Sequence, residues 1–211
     1  MSLREFQRAL TAMTLDVRFC ATVYERGEDA LRDYALSARE ARRLAAVARQ
    51  PGMALNCTLA RANRFGAVHD AFPMTCALLG ERLREVLDGL WSSSVPDNVQ
   101  LSGDVEPFAA LVEEHIAAGE GGASPYLAEI LAYERASLEL AQLVRHAADP
   151  EALPPTSRWV AFEHDPQALF GPLERVEAPP PDLARGAYRV RITLDRGELE
   201  IATFEAAKRG V

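Results

Sequence analysis

The chain has 211 residues, of which 48% are hydrophobic and 26% are charged, and its formal net charge at pH 7 is −8. This composition is typical of a globular protein with one large domain or two small ones. No apolar run approaches the roughly 18 residues that a membrane-spanning helix needs. The acidic chain also lacks the positive field with which proteins bind nucleic-acid phosphates. We therefore expect neither a membrane protein nor a nucleic-acid-binding protein.

The N-terminal sequence MSLREFQRAL carries charged side chains at Arg4, Glu5 and Arg8. A secretory signal would have an apolar core followed by a small-residue cleavage site, and neither is present. The sequence therefore predicts a cytoplasmic protein.

Residues 2 to about 148 have the periodicity of consecutive helices. Ser37 and Glu40 have the spacing of a capping box, in which both side chains accept hydrogen bonds from backbone amides at a helix start. The helix that follows is expected to end at Gln50-Pro51-Gly52, because proline and glycine interrupt helices. Further apolar stripes at helical spacing, which we expect to be buried, are Leu55, Leu59, Ala62 and Phe65; Leu83, Val86, Leu87, Leu90 and Trp91; Val105, Phe108, Ala109, Leu111, Val112, His115 and Ile116; and Leu127, Ile130, Leu131, Leu138, Ala141 and Leu143.

Proline, glycine and serine separate these helices. Phe72-Pro73 interrupts one pattern, and turn-forming residues predict a loop over residues 92–98 and a second break over residues 119–124. Ser124 is expected to cap the next helix, with Pro125 at its first position, and that helix continues to about His146.

After residue 155 the pattern changes from helical to alternating. Residues 158–162 and 188–194 have the alternation of strands, and residues 198–202 form a returning strand after a turn at residues 195–197. Residues 165–169 are expected to form a single turn. The sequence therefore predicts an α+β protein, with a helical bundle over residues 1–150 and a small antiparallel sheet of about three strands over residues 151–211.

The residue types needed for catalysis or metal binding do not occur in recognisable patterns. Cys20, Cys57 and Cys76 are far apart and form no CxxC pair, so we expect buried free thiols. No HExxH motif, nucleophile motif, phosphate loop or dinucleotide fingerprint is present. We therefore predict no catalytic residue, no metal site and no cofactor in this chain. We also predict that the chain is not an enzyme on its own.

A small open sheet favours a different class of function. An exposed strand edge presents unpaired N–H and C=O groups, to which a peptide can add as an extra strand. The charged residues on the solvent-exposed face of the hairpin would select a peptide of mixed or basic sequence. The alternative is that they only keep the protein soluble. The predicted peptide-binding residues are Trp159, Tyr188, Arg189, Arg191, Glu198 and Glu200.

Residues 56–140 contain three segments in a characteristic order and cover about 40% of the chain. They are NCTLARANRFGAVHDAFPMTCALLGERLREVLDGLW, then PFAALVEEHI, then SPYLAEILAYERASLELA. In order and spacing they resemble the helical domain of the HvfC/BufC-like (DUF2063-like) family, whose members once carried the label of a DNA-binding domain. Members of that family are encoded beside DUF692-type multinuclear non-heme iron oxidases, which modify cysteines in ribosomally made peptides.

A helical domain joined to a C-terminal sheet is similar to the methanobactin biosynthesis C subunits (MbnC-like) of this family. The resemblance implies a non-catalytic subunit that forms a heterodimer with an MbnB-like iron oxidase and binds the leader of an MbnA-like precursor peptide. It also implies that the complex converts precursor cysteines to oxazolone and thioamide groups of a copper-chelating peptide. The iron is expected in the partner subunit. We expect neither a nucleic acid nor a membrane as a further partner.

The family motif carries over onto six candidate partner-interface residues: Asn63, Arg64, Phe72, Pro73, Tyr126 and Glu134. Two roles stay open for them, because such residues either build the helical fold or face the partner. The motif also permits a buried ion pair between Arg64 and Glu134, of the kind that fixes geometry without adding stability.

Two alternative functions remain. The chain would suit a partner subunit for another peptide cysteine modification, such as thiaglutamate-type processing. A DNA-binding transcriptional regulator is favoured by the family's old label and by the arginine-rich helix at residues 39–49, and is opposed by the acidic charge. We do not expect a stand-alone hydrolase, because the sequence contains no set of residues that would form a catalytic nucleophile.

Overall fold

The computed structural model of the chain describes residues 3–93, 101–119 and 124–205. The helices are α1 (Leu3–Leu15), α2 (Val17–Arg26), α3 (Ala38–Ala48), α4 (Pro51–Ala71), α5 (Pro73–Leu79), α6 (Leu83–Ser93), α7 (Val105–Ala117), α8 (Leu127–His146) and α9 (Pro166–Glu174). The strands are β1 (Thr156–His164), β2 (Arg185–Asp195) and β3 (Glu198–Glu205). Most of the predicted loop at residues 92–98 and of the predicted break at residues 119–124 lies outside the described residues.

The predicted α+β class is confirmed, because helices form most of the described chain and a small sheet follows them. The sheet has three antiparallel strands in the order β1-β2-β3. β1 is connected to β2 through α9, whereas β2 and β3 form a hairpin. Within the described ranges, each helix is too short or too polar to cross a membrane.

The chain forms two compact units, which do not follow the predicted boundary at residue 150. The first unit comprises residues 1–68 and 84–108, and the second comprises residues 69–83 and 109–211. The predicted division into a helical bundle over 1–150 and a separate sheet over 151–211 is therefore corrected. The physical reason is that the sheet has an apolar face, and α5, α8 and α9 supply the apolar side chains that cover it.

The first unit buries a core that includes side chains from α1 to α4. Capping side chains fix two of the helix starts. The Asp16 carboxylate accepts hydrogen bonds from the amides of Arg18 (2.8 Å) and Phe19 (3.1 Å), and the predicted capping box of Ser37 and Glu40 is confirmed. The buried core side chains are Ala9, Met13, Cys20, Val23, Leu31, Leu44, Ala48, Met53 and Cys57.

Helix α4 buries a different face from the one that the sequence predicts. Leu55 and Leu59, which belong to the predicted stripe, are exposed. The buried side chains of α4 are Met53, Cys57, Arg64 and Val68. Apolar residues lie all around this helix, so periodicity alone does not single out its buried face.

The second unit buries one face of the sheet and leaves the other exposed, and we call these the inner and the outer face. On β2, Val190, Ile192 and Leu194 are buried on the inner face, whereas Arg189 and Arg191 are exposed on the outer face. The predicted alternation of this strand is therefore confirmed. The buried side chains of the second core are Tyr126, Ile130, Tyr133, Leu140, Val160, Phe162, Leu169, Leu173, Val190, Ile192 and Leu194.

The hairpin between β2 and β3 closes through a two-residue turn. Arg196 and Gly197 both have positive φ, of 48° and 81°. Positive φ at both central residues is typical of a type I′ turn, whose twist matches that of the flanking strands. Asp195 and Glu198 are the closing pair. This turn confirms the predicted hairpin and sets the register of β3.

Two helices in the second unit differ from their predicted extents. Helix α8 begins at Leu127, whose amide bonds to the carbonyl oxygen of Ser124 (3.1 Å), so Ser124 and Pro125 form a turn before the helix. Helix α9 spans nine residues instead of a single turn. Its start has ordinary sequence signals, since Asp165 caps it and Pro166 occupies its first position.

Candidate functional site

Strand β3 ends the sheet, so one of its sides pairs with β2 and the other faces away from the sheet. In an antiparallel hairpin, opposed residues alternate between pairs that exchange both backbone hydrogen bonds and pairs that exchange none. The two-residue turn makes Asp195 and Glu198 a hydrogen-bonded pair. By this alternation, Leu199, Ile201 and Thr203 direct their backbone N–H and C=O groups away from β2. We call these groups the β3 edge.

Among the described residues, no strand pairs with the β3 edge. The opposite edge of the sheet, on β1, is partly occupied. The amide of His164 donates to Glu129 Oε2 (3.3 Å), and Arg158 Nη1 donates to the carbonyl oxygen of Ser157 (3.3 Å). The register of β1 is also irregular between Phe162 and His164. Since irregular and occupied edges resist pairing, β3 is the better template for an added strand.

The inner side of β3 leaves apolar surface exposed beside this edge. Leu199 and Ile201 are 40% and 53% exposed, although their cross-strand neighbours Leu194 and Ile192 are 1% and 0% exposed. Burial of apolar surface contributes about 25 cal/mol per Å². An added strand would therefore gain apolar contacts here as well as backbone hydrogen bonds.

A cluster of two aromatic rings and an arginine crosses the outer face of all three strands. The ring centroids of Trp159 on β1 and Phe204 on β3 are 5.4 Å apart. The guanidinium carbon of Arg191 on β2 lies 5.7 Å and 5.4 Å from these two centroids. Cation–π contacts at exposed sites contribute about 0.5–1 kcal/mol each. This outer-face cluster therefore helps to hold β3 against the sheet.

The structure places the six predicted peptide-binding residues on one sheet but on two faces. Tyr188 lies on the inner face, half-buried against the core. Only two of the six belong to the edge strand β3, and both of these are exposed. The residues on the outer face are Trp159, Arg189, Arg191, Glu198 and Glu200.

The sequence prediction missed three residues of β3 that belong to the candidate site. Leu199 and Ile201 were expected in the returning strand, but not among the peptide-binding residues. Phe204 lies beyond the predicted end of that strand, which was placed at residue 202. The alternation of glutamate with apolar residues after Gly197 was the available signal.

Arg64 forms a buried ion pair with Asp104, and not the pair with Glu134 that the sequence resemblance permits. Its Nε donates to Asp104 Oδ2 (2.5 Å) and its Nη2 donates to Asp104 Oδ1 (2.8 Å). Both side chains are about 5% exposed. Two parallel bonds between a guanidinium and a carboxylate fix direction as well as distance. Arg64 therefore anchors α4 within the first unit.

Glu134 stabilises the start of helix α5 in the second unit. Its Oε1 accepts from the amide of Met74 (2.7 Å) and its Oε2 accepts from the amide of Thr75 (2.9 Å). The N-cap residue of α5, Phe72, has no side-chain acceptor, so a carboxylate from α8 satisfies these helix-terminal amides. Burial raises the pKa of Glu134, and the bonds from the two amides oppose that shift.

The substitution Glu134→Gln is expected to lower the free energy of unfolding by about 1–3 kcal/mol, because a carboxamide has one acceptor oxygen for two amides, whereas both oxygens of a carboxyl group can accept in either protonation state. The raised pKa adds a pH dependence. The native state holds the proton more tightly than the unfolded chain, so the contribution of Glu134 is largest below the ordinary pKa of 4.5 and falls as the pH rises through the raised value. Urea unfolding of both proteins should show a difference that shrinks from acid to neutral pH. A difference that grows with pH would contradict the raised pKa.

The remaining predicted partner-interface residues divide into buried and exposed positions. Phe72 and Tyr126 are buried, and the Tyr126 hydroxyl donates to the carbonyl oxygen of Pro180 (2.7 Å) and accepts from the amide of Leu183 (3.2 Å). Because Arg64 and Glu134 are buried as well, these four side chains are not available to a partner. The predicted interface is therefore reduced to its two exposed residues, Asn63 and Pro73.

Cys20, Cys57 and Cys76 are buried free thiols, as the sequence predicts. Burial raises the pKa of Cys57 to about 11 and that of Cys76 to about 12. Since the thiolate is the reactive form, we expect iodoacetamide at neutral pH to leave all three unlabelled in the folded protein. In urea the same reagent should label all three, which mass spectrometry would count. Rapid labelling of the folded protein would contradict this burial.

Two further searches, for a metal site in the structure and for similar known proteins, found nothing that bears on the candidate site. The described part of the chain contains no group of three or more His, Cys, Asp or Glu side chains arranged to hold a metal ion. No protein-family model, no curated protein and no solved structure matches the chain. The functional proposal therefore rests on the geometry of the β3 edge and on the motifs of residues 56–140.

Proposed function

We propose that the chain is a non-catalytic accessory subunit that holds the leader of a ribosomally made precursor peptide for a DUF692-type iron oxidase. The open β3 edge, beside the exposed side chains of Leu199 and Ile201, is the observation that carries the peptide-binding role. The identity of the oxidase partner is proposed from the order of the motifs in residues 56–140.

In this proposal the leader adds to β3 as a fourth strand. Its backbone forms hydrogen bonds with Leu199, Ile201 and Thr203, and these bonds supply affinity irrespective of leader sequence. The alternating side chains of β3 supply specificity. Since the register of an added strand is fixed by these contacts, a cysteine at a set distance from the leader is delivered to one place.

In this proposal the two subunits have different tasks. This chain binds and orients the peptide, and the iron-containing partner subunit oxidises the precursor cysteines with O2 as the oxidant. The proposed product is a methanobactin-type peptide that carries copper-binding oxazolone and thioamide groups. A sister pathway of cysteine modification would use the same β3 edge with a different precursor.

Co-expression with a DUF692-type oxidase and its precursor peptide tests this function. We expect a stable heterodimer on size-exclusion chromatography, iron in the purified complex, and modified precursor cysteines by mass spectrometry. The oxidase alone and this chain alone are the controls, and both are expected to leave the precursor unmodified. A failure to form the heterodimer, together with full precursor conversion by the oxidase alone, would sink the proposal.

A further inference from the structure

Strand β3 is strongly acidic for a strand at the edge of a sheet. It carries Glu198, Glu200 and Glu205 and no basic residue. The two arginines of the outer face of β2 lie farther along the hairpin, with Arg191 opposite Ala202 and against the rings of the outer-face cluster and Arg189 opposite Phe204. The residues opposite Glu198 and Glu200 are Asp195 and Thr193, which add no positive charge. The part of the β3 edge near the hairpin turn therefore presents negative charge to a strand that pairs with it.

Near the hairpin turn, the acidic and aliphatic side chains of β3 lie on opposite faces. Glu198 and Glu200 are on the outer face, whereas Leu199 and Ile201 are on the inner face, where they are 40% and 53% exposed. Side chains of an added strand alternate in step with those of its neighbour. One set of peptide side chains would thus lie beside the two glutamates, and the other set beside the two aliphatic residues.

We propose that the β3 edge selects an extended peptide in which apolar residues alternate with lysine or arginine. This inference rests on the proposed function and names the class of leader that the same site takes. The apolar residues of the peptide cover Leu199 and Ile201, and its basic residues pair with Glu198 and Glu200. Opposite charges on neighbouring strands attract, whereas like charges repel, so an acidic leader is rejected.

Three labelled peptides of eight residues, the length of β3, test this selection by fluorescence anisotropy with the full chain. The first alternates lysine and valine, and the second alternates glutamate and valine. The third has the composition of the first, with its lysines and valines in two separate blocks. We expect the first peptide to bind on the order of tenfold more tightly than either of the others, because only it satisfies both faces.

A matched pair of double variants separates a local effect from net charge. The double substitution Glu198→Gln and Glu200→Gln is expected to remove the preference for the basic alternating peptide over the acidic one. The control is Glu163→Gln with Glu177→Gln, which makes the same change in charge at exposed residues that pair with Arg185 and Arg175. This control is expected to keep the preference.

Each outcome has a defined meaning. Tight binding of the basic alternating peptide, lost in the first double variant and kept in the second, supports the inference. Equal binding of the acidic and basic alternating peptides overturns the inference but keeps the proposed function, because strand addition would then be independent of charge. If none of the peptides and no precursor leader binds, the inference and the peptide-binding role fail together.

Discussion

The substitution Ile201→Pro is expected to weaken binding of a precursor leader by at least about tenfold while the chain stays folded. The backbone amide of Ile201 points away from β2, so proline removes a hydrogen bond to the added strand but none to the existing sheet. The proline ring also occupies space that the added strand needs. Anisotropy of a labelled leader measures the affinity, and circular dichroism measures the fold.

Two further variants make this result specific. Ile201→Ala removes the aliphatic side chain but keeps the amide, and it is expected to weaken binding less than Ile201→Pro. Ala202→Pro removes a hydrogen bond of the hairpin with β2, and it is expected to lower the stability of the sheet itself. Leader affinity that is unchanged in Ile201→Pro would show that the peptide does not pair with the β3 edge.

The substitution Asp104→Ala is expected to lower the free energy of unfolding by about 3–5 kcal/mol, because it leaves the buried charge of Arg64 without its partner. The guanidinium of Arg64 would then face the interior of the first unit, where both side chains of the pair are about 5% exposed. Urea unfolding with a fluorescence readout measures this loss.

An exposed ion pair provides the control for Asp104→Ala. Arg32 and Asp29 are 76% and 64% exposed, so Asp29→Ala is expected to cost about 0–1 kcal/mol. The double substitution Arg64→Met with Asp104→Leu is expected to regain much of the stability, since an apolar pair of similar volume needs no counter-charge. A loss in Asp104→Ala no larger than that in Asp29→Ala would contradict the buried pair.

The elements that the sequence predicts well are those whose signals are local. The capping box of Ser37 and Glu40, the alternation of residues 188–194 and the glycine-containing turn at residues 195–197 all lie within a few residues of the structure that they specify. Each signal describes a hydrogen bond or a side-chain direction that depends on neighbouring residues. The fold class followed from the same local patterns.

The features that the sequence does not predict depend on partners far along the chain. Glu134 caps a helix 59 and 60 residues earlier, and Arg64 pairs with an aspartate 40 residues later. The two compact units also interleave along the chain, so a change of pattern at residue 150 does not mark their boundary. Local periodicity contains no information about which distant face an element covers.

The candidate site was predicted in part. Glu198 and Glu200 were placed correctly on an exposed strand, because alternation fixes which residues share a face. The exposure of Leu199 and Ile201 could not be predicted, since it depends on how far the helices of the second unit extend over the sheet. Phe204 was missed because apolar and polar residues no longer alternate strictly after Ile201, which obscures the true end of the strand.

Amide hydrogen exchange, measured by NMR on the full chain with and without a precursor leader, tests the central claim most directly. We expect the leader to slow exchange at Leu199, Ile201 and Thr203, whose amides face the open side of β3. The amides of Glu200 and Ala202, which pair with β2 already, should change much less. Leader binding that leaves the first three amides unprotected and instead protects residues elsewhere would contradict peptide addition at the β3 edge.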